Sequence, residues 1–285
     1  MKVQLIAPSG AFDQNLANEG RAMLESKGLD VQEYAYHARF GRFAATDAER
    51  FRECWEALCS NADAVWAIRG GYGVTRIIPE LDKVVPDASF KWLVGYSDLT
   101  ALHCWIHYHL GWPTIHGVMV QGIPRSTEQS VDSVIRFIEG EKPTYIFHSP
   151  DNHPGEATGT LVGGNLSVLH GLLDTPYMPD PSRKILFLEE INEHWYKVDR
   201  MLYSFSLSGY LSELRGIVFG GFTEMPENDM NLSFRQMVME KVEEYDIPVA
   251  FGLPTGHQDH NLALKLNSRV SLRVEKDAAE LEFLE

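Results

Sequence analysis

Short apolar runs alternate with longer stretches of helical periodicity over the first half of this chain. The apolar runs have the length of strands and are residues 3–7, 31–34, 64–68, 92–94 and 114–116. The segments between them have the length and spacing of amphipathic helices and are residues 15–27, 47–59, 100–110 and 127–139. This order predicts an α/β fold in which helices cover both faces of a parallel sheet. Because such sheets bind ligands at the carboxyl ends of their strands, the turns after Ile68 and Val94 are candidate sites.

The second half of the chain has a less regular pattern. Residues 141–155 are rich in proline and polar turn formers, which predicts a linker between a domain over 1–140 and another over 156–285. In the second domain, strands are predicted at 161–162, 185–188, 217–219, 249–251, 270–274 and 281–284, and helices at 198–209 and 234–245. We therefore expect a smaller, mixed α/β domain.

Charge and composition exclude several classes of function. The formal net charge of −15 argues against binding to nucleic acid or to an anionic membrane, because both need clustered Lys and Arg. The first apolar run is too short for a signal peptide, and none reaches the ~18 residues of a membrane span. An odd, unpatterned set of cysteines (Cys54, Cys59 and Cys104) predicts reduced thiols in a cytoplasmic protein.

The turn at residues 95–98 joins a predicted strand to a predicted helix and contains Ser97 and Asp98. A serine on such a sharp turn is held beside free helix amides, where a nucleophile and an oxyanion hole can form together. The alternative is that Ser97 or Asp98 only caps the helix. Leu99 also breaks the usual hydrolase pattern, which has a glycine there.

A glycine-rich turn, Arg69-Gly70-Gly71-Tyr72-Gly73, follows the predicted strand at 64–68. It lacks the Lys-Ser/Thr of a P-loop and the spacing of a dinucleotide fingerprint. Its glycines let backbone amides approach a ligand closely, so the turn is interpreted as a donor to a developing oxyanion. A turn without chemistry is the alternative.

Acidic and imidazole side chains in the second half complete a catalytic hypothesis. Glu189 and Glu190 end an apolar strand, and burying them requires a partner. His257 and His260 lie on a loop after the strand at 249–251. Ser97, Glu189 and His257 thus supply a nucleophile, an orienting acid and a base. Solvent exposure of these carboxylates and histidines is the simpler alternative.

A rival hypothesis is a metal site built from His103, His107, His109 and His116. His103 and His107 are four residues apart on a predicted helix and share one face. No glutamate accompanies them in the zinc-protease pattern, and the apolar neighbours indicate a helix packed in the core. We therefore expect no metal.

Together these motifs resemble the LD-carboxypeptidases, the serine peptidase family of the cytoplasmic muramoyltetrapeptide carboxypeptidases and the microcin C self-immunity peptidases. The segments that carry the resemblance, in the family's order, are 5–10, 69–73 with Arg76, 95–98 with Thr100, 163–166, 188–194 with 199–202, and Gly256-His257. The resemblance implies a flavodoxin-like N-terminal domain carrying the serine and a mixed, swivelling-type C-terminal domain carrying the acid and histidine. It also implies a homodimer and no cofactor.

The same resemblance assigns Ser97 as nucleophile, Glu189 as acid and His257 as base. The family often has aspartate where Glu190 stands, which leaves Glu190 as the alternative acid. The amides of Gly71 and Asp98 are expected to form the oxyanion hole. Arg69 and Arg76 are candidates for the substrate carboxylate, with an ion pair inside the first domain as the alternative for each.

The expected activity is a metal-independent serine carboxypeptidase that removes the terminal D-alanine from murein tetrapeptides during peptidoglycan recycling. One alternative keeps the fold and changes the substrate to an aminoacyl-adenylate-like antibiotic conjugate. Another is a non-catalytic, flavodoxin-like ligand-binding protein in which Ser97 is a helix cap.

Overall fold

The computed structural model describes residues 1–32, 39–85 and 87–285. These residues form two compact units, each around its own sheet. The first unit contains residues 1–139 and 259–264, and the second contains residues 140–258 and 265–285. In the described residues, no helix has the length and apolar character that crossing a membrane requires.

The strands of the described chain are β1 (Lys2–Ile6), β2 (Asp30–Gln32), β3 (Ala64–Ala67), β4 (Trp92–Gly95), β5 (Thr114–His116), β6 (Thr144–His148), β7 (Gly155–Asn165), β8 (Lys184–Ile191), β9 (Gly216–Thr223), β10 (Val249–Ala250), β11 (Leu264–Leu266), β12 (Ser268–Val274) and β13 (Ala278–Phe283). The α-helices of the same residues are α1 (Gln14–Ser26), α2 (Asp47–Cys59), α3 (Val74–Leu81), α4 (Thr100–Leu110), α5 (Glu128–Ile138), α6 (Leu166–His170), α7 (Trp195–Leu207) and α8 (Phe234–Val242).

The first sheet has the order β11-β5-β4-β3-β1-β2, and the pairs among β1 to β5 are parallel. Every residue of β3 is buried, as expected for a strand covered on both faces. The carboxyl ends of β1, β3 and β4 therefore meet at one edge, which brings together the loops that begin at Ala7, Ile68 and Tyr96. The predicted alternation is confirmed; of the predicted strand 31–34, Glu33 and Tyr34 lie outside the described residues.

The second sheet is mixed and has the order β10-β9-β8-β7-β12-β13-β6. The pairs from β7 to β10 are parallel, whereas β7, β12, β13 and β6 pair antiparallel. The mixed α/β architecture predicted for this half of the chain is thus present.

Two segments of the chain differ from the sequence-based boundaries. Residues 144–148 of the expected linker form β6, an edge strand that buries Tyr145 and Phe147 and pairs with β13. Residues 259–264, expected in the second domain, belong to the first unit. They are held there by hydrogen bonds from the Asn261 and Ala263 amides to the hydroxyls of Ser130 and Ser133 on α5.

Strand β7 extends far beyond the predicted residues 161–162. Its sequence contains Gly159, Gly163 and Gly164, and glycine runs are atypical of strands. The contact with β8 explains Gly163, because a Cβ there would lie 1.9 Å from the Phe187 carbonyl oxygen. Gly159 and Gly163 thus weaken the sequence signal of this strand and also permit its close approach to β8.

Candidate active site

Ser97 lies on the turn between β4 and α4 and begins a 3-10 turn over Ser97–Leu99. Its φ of 63° is in the left-handed region, which costs a residue other than glycine about 1–3 kcal/mol and is concentrated at functional sites. Leu99 is the N-cap of α4, and within the described residues the structure has no side-chain cap hydrogen bond at this N-cap. The helix-cap interpretation of Ser97 and Asp98 is therefore wrong for α4.

The Asp98 side chain connects three loops at the carboxyl edge of the first sheet. It is 3% exposed and accepts hydrogen bonds from Ser9 Oγ at 2.6 Å and from the Val74 amide at 2.9 Å. Burial raises the pKa of Asp98, and these hydrogen bonds oppose that rise. Sequence reasoning considered Asp98 as a helix cap or as an amide donor, and the signal it missed was the polar Ser9 in the loop after β1, at the same sheet edge.

The glycine-rich turn passes directly beside Ser97. A Cβ on Gly70 would lie 3.0 Å from Ser97 Cβ and 3.2 Å from Ser97 Oγ. The Gly10 amide donates to the Gly70 carbonyl at 3.0 Å, and Gly71 has a φ of 110° that favours glycine. The backbone of Gly70 therefore packs against the side chain of Ser97.

A buried arginine and a buried glutamate of α2 support the same loops. Arg50 is fully buried, and its guanidinium donates to the carbonyls of Gly73, at 2.9 Å, and of Pro8. Glu53 accepts the Ala7 amide at 2.9 Å, while among the described residues its Oε1 has no hydrogen-bond partner. Burial raises the pKa of Glu53 to about 7. Sequence reasoning missed both residues, because the helix periodicity of α2 does not show which polar side chains face inward.

The two candidate arginines have different surroundings. Arg76 is exposed and pairs with Asp47 at 2.6 Å, which is the ion pair inside the first unit that the sequence left open. Arg69 is also exposed, and its guanidinium donates to the carbonyl of Ala11.

In the second unit, Glu189 and His257 form a hydrogen-bonded pair. His257 Nδ1 lies 2.7 Å from Glu189 Oε2, and the Glu189 side chain is fully buried. Burial lowers the pKa of His257, but the hydrogen bond and charge of Glu189 outweigh it, and Glu190 and Glu224 add to the rise. The pKa of His257 therefore lies above its ordinary value, and its ring orientation is fixed through Nδ1.

Glu190 faces a different set of partners. Its carboxylate accepts from Asn165 Nδ2 at 2.9 Å, from the Ser167 amide at 2.8 Å and from the Ile191 amide at 2.9 Å. Burial raises the pKa of Glu190, and these hydrogen bonds oppose the rise. The geometry thus gives Glu189 the contact with the imidazole and gives Glu190 contacts that hold β7, β8 and the start of α6.

Contacts with β9 and with Glu189 fix the position of the loop that carries His257. Thr223 Oγ1 donates to the His257 carbonyl at 2.9 Å. Gly256 has a φ of 120°, and a Cβ there would lie 3.0 Å from Glu189 Cβ, so the close approach of this loop requires glycine. His260 belongs to the first unit, where its Nδ1 lies 3.0 Å from Thr127 Oγ1.

The histidines of the rival metal hypothesis each have another contact. Each of three histidines has its Nε2 atom 2.9 Å from an oxygen atom. The partner of His103 is the Gly95 carbonyl, that of His107 is Thr114 Oγ1, and that of His109 is Asp82 Oδ1. His116 is buried and packs against the Tyr96 ring. Burial lowers the pKa of His103 to about 4. In the part of the chain that the structure describes, no group of three or more His, Cys, Asp or Glu is arranged to hold a metal ion.

Comparisons with known proteins match this chain over most of its length. The family model of the LD-carboxypeptidase N-terminal domain matches residues 3–117, and that of the LD-carboxypeptidase C-terminal domain matches residues 158–272. The murein tetrapeptide carboxypeptidase of Pseudomonas aeruginosa is 30% identical, over 92% of this chain and 90% of its own length.

Solved structures give the same result. The crystal structure of muramoyltetrapeptide carboxypeptidase from Oxalobacter formigenes is 32% identical and superposes with a TM-score of 0.92, covering 100% of this chain and 99% of its own. MccF in complex with glutamyl sulfamoyl guanosine has a TM-score of 0.88 at 19% identity, covering 100% of this chain and 96% of its own, which shows a shared fold. The resemblance found in the sequence is confirmed, and the chain belongs to the LD-carboxypeptidase family.

Proposed function

We propose that this protein is a serine carboxypeptidase that hydrolyses the L,D-peptide bond of murein tetrapeptides and releases the terminal D-alanine during peptidoglycan recycling. The observation that carries the proposal is the contact between buried Glu189 and half-buried His257, whose Oε2 and Nδ1 atoms lie 2.7 Å apart, as in the acid and base half of a catalytic triad. The names of the relatives from P. aeruginosa and O. formigenes support the choice of substrate.

In the proposed mechanism Ser97 is the nucleophile and His257 the general base. Because His257 Nδ1 is engaged by Glu189, Nε2 is the nitrogen that takes the serine proton as Oγ attacks the carbonyl of the penultimate residue. The carboxylate of Glu189 holds the imidazole tautomer and stabilises the imidazolium that forms. The raised pKa of His257 agrees with this role.

Backbone amides of Gly71 and Asp98 are proposed to stabilise the oxyanion. Support comes from the contact of Gly70 with Ser97 and from the hydrogen bonds that anchor Asp98. Collapse of the tetrahedral intermediate breaks the C–N bond, and the amine of D-alanine takes the proton from His257. Water then hydrolyses the Ser97 ester by the same sequence of proton transfers, without a cofactor.

The proposal also includes the domain organisation, the oligomeric state and the cellular location of the protein. We assign a flavodoxin-like domain to residues 1–140, a linker function to the parts of 141–155 outside β6, and a swivelling-type domain to residues 156–285 except 259–264, which belong to the first unit. The protein is proposed to act as a homodimer in the cytoplasm, where murein fragments are recycled. Family membership supports this organisation.

A panel of tri-, tetra- and pentapeptide muropeptides, analysed by mass spectrometry, tests the proposed function. We expect loss of one alanine from the tetrapeptide alone, unchanged by a chelator and absent with Ser97→Ala. Cleavage of an aminoacyl-adenylate-like conjugate in place of the tetrapeptide would move the assignment to an immunity-type peptidase. Binding of the tetrapeptide without turnover would indicate a ligand-binding protein.

A further inference from the structure

A surface pocket of about 430 Å³ is lined entirely by residues of the first unit, among them Gly71 and Tyr72 of the glycine-rich turn. Its wall includes Gly10 and Gly71, which adjoin the Gly70 backbone that contacts Ser97. It also contains three arginines, which are Arg39, Arg42 and Arg69. This local cluster of positive charge stands out in a chain whose net charge is −15.

The guanidinium groups of the three arginines differ in their contacts. Arg69 donates to the carbonyl of Ala11, and Arg39 Nε donates to the carbonyl of Gly41 at 3.0 Å. The guanidinium of Arg42 lies 5.7 Å from the ring centroid of Tyr72, and within the described residues it takes part in no ion pair. Asp13 is the acidic residue of the wall, and its carboxylate is occupied by the Asn15 and Leu16 amides of α1.

We propose that this pocket binds a carboxylate of the substrate peptide and that Arg42 is its principal ligand. The guanidinium fork matches a carboxylate in two parallel hydrogen bonds, and the exposed Tyr72 ring holds its plane. The overall negative charge of the protein repels an anionic peptide, so a local cation is needed to make binding favourable. The proposal rests on the proposed function, because it concerns the same peptide substrate.

This assignment changes the expectation for the two arginines named from the sequence. Arg76 is neutralised by Asp47 and does not line the pocket, whereas Arg69 does. Arg42, which no sequence motif singled out, replaces Arg76 as the second candidate ligand. A tetrapeptide whose third residue is lysine, the form chosen for the binding test, has two sources of carboxylate, which are its terminal D-alanine and the D-glutamate of the stem.

Binding of three peptides, measured by calorimetry in the Ser97→Ala background, tests the proposal without turnover. The peptides are the tetrapeptide acid, its C-terminal carboxamide and a tetrapeptide with D-isoglutamine in the stem. Arg42→Gln is the test variant. Arg52→Gln is the matched control, because Arg52 is exposed on α2 and outside the pocket.

We expect Arg42→Gln to weaken binding of the tetrapeptide acid about tenfold to a hundredfold, as for a lost charge-assisted hydrogen bond, and Arg52→Gln to change it less than twofold. The peptide on which Arg42→Gln has no effect identifies the carboxylate that Arg42 binds. An unchanged Kd with Arg42→Gln, or an equal loss on all three peptides, would overturn the proposal. If the proposal about Arg42 fails but the unmodified enzyme still hydrolyses the tetrapeptide, the proposed function stands. If the unmodified enzyme neither binds nor hydrolyses the tetrapeptide, both the proposed function and the role of Arg42 are wrong.

Discussion

Glu189 and Glu190 are adjacent at the end of β8, and their carboxylates have different hydrogen-bond partners. The register of β8 against β9 shifts between Leu188 and Glu190, so the pairing of the two strands is irregular at these residues. Neighbouring strand side chains point to opposite faces, and Glu189 reaches His257 while Glu190 reaches Asn165 and the start of α6. Two identical side chains thus acquire different partners.

We predict that Glu189→Gln and Glu190→Gln have opposite profiles. Glu189→Gln should lower kcat at least a hundredfold with little change in the melting temperature, because it removes the charge that orients and stabilises the imidazolium. Glu190→Gln should retain most of kcat but lower the free energy of unfolding by about 1–3 kcal/mol, because it disrupts a buried hydrogen-bond network. Steady-state kinetics and thermal unfolding measure both effects, and the reverse ranking in kcat would transfer the acid role to Glu190.

The pH dependence of turnover gives a second prediction at this scale. The base must be neutral, so kcat/KM should rise with pH through a midpoint above the ordinary His value of 6.5. Glu224, exposed at the end of β9, contributes to the raised pKa of His257, so Glu224→Gln should move the midpoint down while kcat at alkaline pH is retained. A midpoint at or below 6.5 in the unmodified enzyme, or no shift in the variant, would contradict this role for His257.

Among the helices and strands, those of the first unit were predicted best, because their apolar residues recur with regular spacing. The predicted bounds of α2, α4 and β5 coincide with those observed, because apolar spacing and turn residues agree there. Strand β7 was largely missed because its glycines serve contact with β8, and β6 was missed because Pro143 and Pro150 flank it. Tertiary contacts that define these strands leave no periodic signal in a single sequence.

The approach of the glycine-rich turn to the serine predicts a sensitive position at this scale. Gly70→Ala would place a methyl group 3.0 Å from Ser97 Cβ, and we expect at least a tenfold loss of kcat from the displaced nucleophile. Gly122→Ala is the control, because a Cβ there meets only Val118 Cγ2 at an ordinary 3.6 Å. Turnover and melting temperature should be measured together. Full activity of a folded Gly70→Ala protein would show that this contact does not constrain Ser97.

For the whole molecule, sequence reasoning proposed Ser97, Glu189 and His257 through motifs and the order of chemical types along the chain, and the structure brings Glu189 and His257 into contact. It did not find Ser9, Arg50, Glu53 or Arg42. These residues act through burial and through contacts between loops distant in sequence, which a pattern of spacing does not encode. The same limit applies to segment 259–264, which the sequence assigns to the second domain, because the hydrogen bonds that join this segment to α5 in the first unit leave no sequence pattern.

Global stability should depend on the protonation of Glu53. Its pKa is raised from 4.5 to about 7 in the folded protein, so the folded state binds this proton more tightly than the unfolded state. This contribution is complete below pH 4.5 and is lost as the pH rises through about 7, a difference of about 3 kcal/mol. Urea unfolding at pH 5 and pH 8 should show that Glu53→Gln is stabilised relative to the unmodified protein at the higher pH. An identical pH dependence of the two proteins would contradict the buried, protonated state of Glu53.

Covalent labelling followed by peptide mapping shows whether Ser97 is the nucleophile of this carboxypeptidase. A fluorophosphonate should modify Ser97 alone, abolish release of D-alanine in proportion to the label, and be slowed by the murein tetrapeptide. Ser97→Ala should stay folded, remain unlabelled and lose at least about a thousandfold in kcat, as when one member of a triad is removed. Labelling at another residue, or a folded Ser97→Ala protein with more than about a tenth of the original turnover, would contradict the assignment.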